Sequence, residues 1–193
     1  MLNRAFSRWL HVKPVKLGEE VVYEGRKFRV KVEEYEYEGR VFTVEKVEHP
    51  GAVVVVPVLS DGRIVYIEQY RPVVEEWVVE LPAGTIAEGE EPAETAAREL
   101  EEEVGYRPST LAYLGVTYPS PGYTNERIHV LEARGLVKSR PRREPHEVLR
   151  VRTAALEELL KMIATNRVRD SKTIVALTLY YLKAAEQGLE SAT

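Results

Sequence analysis

The chain has 193 residues, a formal net charge of −4 and no cysteine. Its length suits one compact unit with a real hydrophobic core, and the lack of cysteine excludes a disulfide framework and thiolate chemistry. The acidic balance without a strong basic run argues against nucleic-acid binding, and no apolar run is long enough to span a membrane. Because the N-terminus also lacks a signal-peptide pattern, we expect a cytoplasmic protein with no membrane partner.

The N-terminal part predicts a small sheet. Leu2, Phe6 and Leu10 have the spacing of a short docking helix, although a loose tail fits this segment equally well. Between residues 20 and 48 apolar and polar residues alternate in three runs separated by glycines. This is the pattern of three strands joined by turns.

The middle of the chain predicts further strands, and its end predicts two helices. Residues 52–59 form an apolar run typical of a buried strand, and residues 60–63 predict a hairpin turn that pairs it with residues 64–70. A short strand precedes an acidic segment and two more strands follow it. Helical spacing of apolar residues then appears over 154–165 and 171–187.

This order of elements predicts an α+β fold in which helices pack on a mixed sheet. We expect a strand-rich N-terminal subdomain over residues 1–48 and a larger domain over residues 49–193. The densest basic cluster should be a solvated loop, and it consists of Lys138, Arg140, Arg142 and Arg143.

The most informative segment is residues 84–106, which read GTIAEGEEPAETAARELEEEVGY. Pro92 suits the first turn of a helix and Gly105 suits its end, so a helix is predicted between them. At about 100° per residue, three of its acids fall within roughly a third of the circumference. These acids are Glu99, Glu102 and Glu103. The apolar face predicted beside them consists of Ala93, Ala97, Leu100 and Val104.

Three carboxylates at one place repel each other unless a cation lies between them. Mg²⁺ and Mn²⁺ favour oxygen ligands of this kind, so the pattern indicates a divalent metal site. The simpler interpretation is an acidic helix whose glutamates only face water. The fixed spacing of glycine, arginine and glutamate residues over the whole segment favours the metal site.

These residues resemble the Nudix box, in which Gly84, Glu90, the Arg98-Glu99 pair, the Glu102-Glu103 pair and Gly105 stand at the family's spacings. Tyr106 departs from the usual aliphatic residue at a packing position. The resemblance covers about residues 20–185. It implies the Nudix fold, an α/β/α sandwich with a mixed sheet, here with a small antiparallel sheet at the N-terminus.

The resemblance also implies which groups bind the metal. The ligands would be Glu99, Glu102, Glu103 and the backbone carbonyl of Ala83, with Mg²⁺ as cofactor and Mn²⁺ as a possible substitute. Arg98 would lie inside this cluster as a structural cation paired with Glu90.

A second motif, YPSPGYTNE over residues 118–126, is a loop because of its two prolines and its glycine. It resembles the proline-marked loop of ADP-ribose pyrophosphatases. The resemblance implies that Glu126 takes the proton from the attacking water. Two alternatives stay open: Glu126 is an ordinary surface acid, or Glu102 is the base.

Residues 68–72, EQYRP, resemble the strand end from which the same subfamily offers an arginine to substrate phosphates. Arg71 would fit a diphosphate because its planar fork donates two parallel hydrogen bonds. Its alternative role is a surface ion pair with Glu75 or Glu76. Glu80 is implied as a residue that lines the substrate pocket.

The implied reaction is hydrolysis of ADP-ribose to AMP and ribose 5-phosphate. The alternatives are a pyrophosphatase for another nucleotide sugar or dinucleotide, and a module that binds ADP-ribose without cleaving it. An mRNA-cap hydrolase fits the acidic balance less well. Since a small isolated sheet is marginal in water and the related pyrophosphatases pair through this part, a homodimer is also implied.

Overall fold

The structure is a computed structural model that describes residues 13–143 and 147–190, with side chains up to residue 186. The predicted docking helix at residues 2–10 lies outside the described residues. The chain divides into two compact units: one holds the strands up to His49 together with Ser120–Asn125, and the other holds Pro50–Pro119 and the chain from Glu126 onward.

The first unit is a three-stranded antiparallel sheet. Its strands are β1 (Val15–Glu24), β2 (Arg29–Tyr37) and β3 (Arg40–Glu48), in that spatial order. The three predicted strands are therefore confirmed, although β1 begins at Val15 rather than near residue 20. The proline-marked loop joins this sheet, because the Val47 N–H donates to the Tyr123 carbonyl over 2.7 Å.

Charged side chains line one face of this sheet. Glu33 is 2% exposed. It accepts hydrogen bonds from Lys16 at 2.9 Å, from Lys46 at 3.2 Å and from the Tyr35 hydroxyl at 2.7 Å. Residues two apart on a strand share a face, and the residue directly opposite Glu33 on β3 is Val44, so Lys46 reaches Glu33 diagonally across the strand pair.

The second unit is an α/β/α arrangement. Its strands are β4 (Ala52–Pro57), β5 (Ile64–Arg71), β6 (Glu76–Glu80), β7 (Ala83–Thr85), β8 (Tyr106–Arg107), β9 (Thr110–Thr117), β10 (Ile128–Arg134), β11 (Val137–Lys138) and β12 (Leu149–Ala154). Its α-helices are α1 (Pro92–Glu99), α2 (Leu156–Ala164) and α3 (Ser171–Glu190). A four-stranded mixed sheet has the order β7-β4-β10-β9, a three-stranded sheet has the order β12-β5-β6, and β8 pairs with β11.

Strand β4 lies at the centre of this unit, and every one of its residues is buried. Val54 and Val56 belong to a core that includes residues of α2 and α3. Val53 and Val55 belong to a second core that includes residues of α1. Alternate side chains of a strand point to opposite faces, so a continuous apolar run is what a sheet covered on both faces requires.

The predicted hairpin between β4 and β5 is wrong. These strands belong to different sheets, and a single bridge between Val58 and Ile64 joins their ends. The reason is that β4 uses both of its edges elsewhere: it pairs in parallel with β10 and antiparallel with β7. Across the part of the chain that the structure describes, no helix has the length and apolar character needed to cross a membrane.

Candidate active site

The acidic segment forms a helix in two parts. Helix α1 covers Pro92–Glu99, a π-helical segment continues it over Leu100–Val104, and Gly105 ends it at φ 72°. The predicted apolar face is wrong in its first half, because Ala96 is fully buried while Ala93 is exposed. The line that packs is Ala96, Leu100 and Val104, which follow one another in steps of four along one face of the helix.

The three predicted metal-ligating acids differ in exposure. Glu99 and Glu103 are 8% and 3% exposed, whereas Glu102 is half-buried. Strand β7 packs directly against the first two. The Ala83 N–H donates to Glu103 Oε2 over 3.2 Å, and a Cβ at Gly84 would lie 1.8 Å from Glu99 Oε1. Only glycine leaves room for the carboxylate at that point, which explains the first residue of the motif.

Arg98 organises the acids around it. Its Nε and Nη2 donate to Glu90 at 2.9 and 3.0 Å, and its Nη1 donates to Glu99 at 2.7 Å and to Glu102 at 3.1 Å. The predicted pairing with Glu90 is therefore confirmed. Arg98 supplies one positive charge to a group of three acids.

The buried acids are costly to ionise. The pKa of Glu99 is raised to about 7, mainly by burial and also by the charges of Glu102 and Glu147, while Arg98 opposes the rise. Burial also raises the pKa of Glu103 well above its ordinary value, and Glu99 and Glu147 add to the effect. Negative charge therefore exceeds positive charge at this place, which is the electrostatic condition for binding a cation.

The donor set fits a hard divalent cation. Glu99, Glu102 and Glu103 offer carboxylate oxygens, and Ala83 belongs to the strand that contacts Glu103. In the described ranges the acids and histidines do not form a ready-made group of three around a metal position. Arg98 bridges two of the acids instead, so the fit rests on the chemistry of the donors and on the surplus of negative charge.

Glu147 is a charged residue of this site that the sequence analysis missed. It lies two residues before β12, and its charge raises the pKa of both Glu99 and Glu103. It is about forty positions beyond the box, next to a segment interpreted as a basic loop. Its acidic character was the only signal available, and many acids in this chain share it.

The basic loop is more than solvated surface. Its side chains are mostly exposed, as predicted, but Arg143 Nε donates to the Glu103 carbonyl over 2.9 Å. The Arg142 N–H donates to the Glu102 carbonyl over 3.0 Å. These bonds satisfy carbonyl groups at the C-terminal end of the box helix, which have no partner within the helix.

Arg71 and Glu80 form a pair. Arg71 Nε and Nη2 donate to Glu80 Oε1 and Oε2 over 2.7 and 2.8 Å, so the planar fork of the guanidinium is used on this carboxylate. Arg71 therefore pairs with Glu80 rather than with the alternative partners Glu75 or Glu76. Glu80 is 1% exposed. The charge of Glu103 also acts on Arg71, which puts the pair beside the box acids.

Glu126 is half-buried and lies two residues before β10. It belongs to the second unit, whereas the preceding residues of its loop, Ser120–Asn125, belong to the first. The predicted role as general base stays a prediction.

Comparison with known proteins identifies the family. A NUDIX domain model matches residues 48–177. The ADP-ribose pyrophosphatase of Bacillus subtilis (strain 168) is 38% identical over 175 residues, which cover 89% of this chain and 95% of that protein. The methanol dehydrogenase activator of Bacillus methanolicus is 37% identical over 169 residues, 86% of this chain and 91% of that protein.

The fold leads to the same family. The crystal structure of an ADP compounds hydrolase superposes with a TM-score of 0.81 at 26% identity, and the match covers 92% of this chain and 97% of that one. The chain belongs to the Nudix family and is a Nudix hydrolase. Members of this family generally need a divalent metal ion.

Proposed function

We propose that this protein hydrolyses the diphosphate bond of ADP-ribose with Mg²⁺ as its cofactor. The products are AMP and ribose 5-phosphate. The observation that carries the proposal is the packing of two buried carboxylates, Glu99 and Glu103, against Ala83 and Gly84 of β7. The name of the Bacillus subtilis relative supports the choice of substrate.

Each residue has a proposed role. Glu99, Glu102, Glu103 and the Ala83 carbonyl would hold the metal, which when bound neutralises phosphate charge and acidifies water. Arg98 keeps Glu99 and Glu102 in position through its Nη1. The Glu126 carboxylate takes a proton from the attacking water.

Two other acids are candidates for the base. Glu102 remains one, as the sequence analysis left it. Glu147 is a second, because its charge reaches both Glu99 and Glu103. A ligated carboxylate is a poor proton acceptor, so an acid outside the proposed metal set suits the role better.

Arg71 would donate to the substrate diphosphate. Because its Nε and Nη2 are bound to Glu80, it contacts a phosphate oxygen either through Nη1 or after leaving Glu80. Glu80 then serves as the counterion of Arg71 as well as a boundary of the pocket.

The substrate is tested by incubating the purified protein with a panel of nucleoside diphosphate derivatives and Mg²⁺, with products separated by chromatography. We expect ADP-ribose to be the best nucleotide-sugar substrate, AMP to be one product, and turnover to stop in EDTA and return with Mg²⁺ or Mn²⁺. The Glu99→Gln protein, purified in parallel, controls for contaminating hydrolases. A clear preference for nucleoside triphosphates or GDP-mannose would refute the assignment.

The same assay separates the alternatives. If another nucleotide sugar or a dinucleotide is the best substrate, the diphosphatase reaction is retained and only the assigned substrate specificity of the pocket changes. A binding module would hold ADP-ribose and release no AMP. The full set of box acids argues against the binding module, since a pure binder has no need of several metal carboxylates in register.

We also propose that the N-terminal subdomain, residues 1–48, forms a two-fold homodimer. All ten residues of β1 are exposed, including Val15, Leu17 and Val22, and β1 is an edge strand. An exposed apolar edge strand of this length is a typical interface. Light scattering at micromolar concentration should give twice the chain mass. Leu17→Lys should halve this mass, whereas Val73→Lys, at an exposed apolar residue outside the N-terminal sheet, should not. A monomer mass for the wild type contradicts the proposal.

A further inference from the structure

Helix α3 begins with residues that contact the strand end preceding the box. The Thr173 N–H donates to Asp170 Oδ2 over 2.9 Å, and Thr173 Oγ1 accepts the Leu81 N–H over 2.8 Å. Lys172 Nζ donates to Asp170 Oδ1 over 2.7 Å and to Glu80 Oε2 over 2.5 Å. The start of α3 therefore holds both the backbone and the side-chain charge of the segment that leads into β7.

Glu80 has two cationic partners. Arg71 binds both of its oxygens, and Lys172 binds Oε2 as well. Glu80 is 1% exposed, so water cannot replace a partner that leaves. A buried carboxylate with a single cation would therefore hold that cation tightly.

The second cation changes what Arg71 can do. If Arg71 turns toward a phosphate, Lys172 still neutralises Glu80, and Asp170 still holds Lys172. Without Lys172, the same movement would leave an unpaired charge in the interior. The exchange of Arg71 from Glu80 to an anion is thus much less costly when Lys172 is present.

We propose that Lys172 is a positioning residue for diphosphate binding, which acts as the counterion that stays on Glu80 while Arg71 contacts the substrate. The inference rests on the proposed function, because the contact between Arg71 and phosphate belongs to it. Lys172 itself touches Glu80 and Asp170, so its effect on substrate passes through Arg71.

The kinetic test compares Lys172→Met with Lys172→Arg, and Lys161→Met on the exposed face of α2 is the matched control. Lys172→Met should raise KM for ADP-ribose about tenfold, equivalent to about 1.4 kcal/mol, with kcat little changed. Lys172→Arg restores the positive charge and should recover most of the affinity. An unchanged KM in Lys172→Met, or a loss confined to kcat, contradicts the proposal.

The folding test does not depend on activity. The free energy of unfolding is measured by urea denaturation for Arg71→Met, Lys172→Met and the double variant, each with Glu80 and with Glu80→Gln. Each single variant leaves Glu80 one cation, so the double variant should lose more stability than the two single losses summed, and Glu80→Gln should remove this excess. If the losses in the free energy of unfolding are additive, Arg71 and Lys172 do not share Glu80 as a counterion, whether or not the protein hydrolyses ADP-ribose.

The two failures are distinguishable. If the wild-type protein does not hydrolyse ADP-ribose, the proposed function fails and the substrate part of this inference fails with it. If hydrolysis is found but the folding losses are additive, only the inference about Lys172 fails.

Discussion

Two buried glutamates, one in each unit of the molecule, behave in opposite ways. Glu33 of the N-terminal sheet is 2% exposed and Glu103 of the box is 3% exposed. Burial alone would raise the pKa of Glu33, but hydrogen bonds from Lys16, Tyr35 and Lys46 outweigh it and lower the pKa to about 2. The sheet therefore holds an ionised carboxylate whose charge is fully compensated.

Glu103 has the opposite surroundings. Burial raises its pKa, the charges of Glu99 and Glu147 raise it further, and the backbone N–H of Ala83 opposes them only in part. The comparison teaches that partners, not depth, decide the state of a buried acid. Where lysines neutralise a buried carboxylate, as in the N-terminal sheet, the acid has a structural role. Where several carboxylates lie together with too few cations, as in the box, the site is suited to bind a metal ion.

The largest effect should come from the acid that serves as base. Glu126→Gln keeps size and hydrogen bonding but removes basicity, so we expect kcat to fall by roughly 10²–10⁴ with metal affinity unchanged. Steady-state kinetics at saturating Mg²⁺ and calorimetric titration of the metal measure the two quantities.

Glu147→Gln is the matched comparison. Because Glu147 adds to the negative charge on Glu99 and Glu103, its loss should mainly weaken metal binding. If instead Glu147→Gln abolishes kcat at saturating metal and Glu126→Gln is nearly normal, then Glu147 is the base.

The next effect concerns the uncompensated acids themselves. Glu103→Gln and Glu99→Gln should each cost about a hundredfold in turnover by weakening the metal site. Unfolding in EDTA should show no loss of stability, since each change relieves repulsion. Glu88→Gln, at an exposed acid between β7 and α1, is the control. Strong destabilisation of the metal-free Glu103→Gln protein would contradict the view that Glu103, unlike Glu33, lacks compensating partners in the folded protein.

Replacing Glu33, whose charge is compensated, should lower stability and leave activity unchanged. Glu33→Gln removes the charge that Lys16 and Lys46 share, so we expect a loss of about 2 kcal/mol in the free energy of unfolding, the scale of hydrogen bonds to charged groups. Turnover per folded molecule should not change. Glu34→Gln, at the exposed neighbour, should have almost no effect on denaturation, and an equal loss in both variants contradicts the argument.

The smallest effect is a change in pH dependence. The pKa of Glu33 is about 2 in the folded protein and 4.5 ordinarily, so its contribution to stability is present above pH 4.5 and is lost as the pH falls toward 2. Thermal melting of the wild type should therefore decline faster over this window than melting of Glu33→Gln. Parallel curves for the two proteins would show that Glu33 is not ionised by its lysine partners.

Much of this molecule could be predicted from sequence. The three N-terminal strands follow from alternation, the buried β4 from its run of valines, and the box from residue identities at fixed offsets. The pairing of Arg98 with Glu90 also followed, since Glu90 comes just before α1 and Arg98 lies within it, so the two residues are close in the chain. These features depend on residues close in the chain.

The pairing of strands could not be obtained in this way. The turn at residues 60–63 predicted a hairpin, but β4 was already paired on both edges, with β7 and β10. The apolar face of the box helix also differs from the predicted one, because Ala96 packs with Leu100 and Val104 while Ala93 is exposed. Which face packs depends on how the helix lies on the sheet, and contacts distant in the chain set that orientation.

The sequence by itself determined the family, the acids of the box and the glycine that Glu99 packs against. Only the tertiary structure decided which charges share a place: Glu147 with Glu99 and Glu103, and Lys172 with Glu80. The physical reason is that ionic and hydrogen-bonding partners interact across a few ångströms of space. Glu147 and the box acids are about forty to fifty positions apart, and Lys172 and Glu80 about ninety, so no local sequence pattern records their proximity.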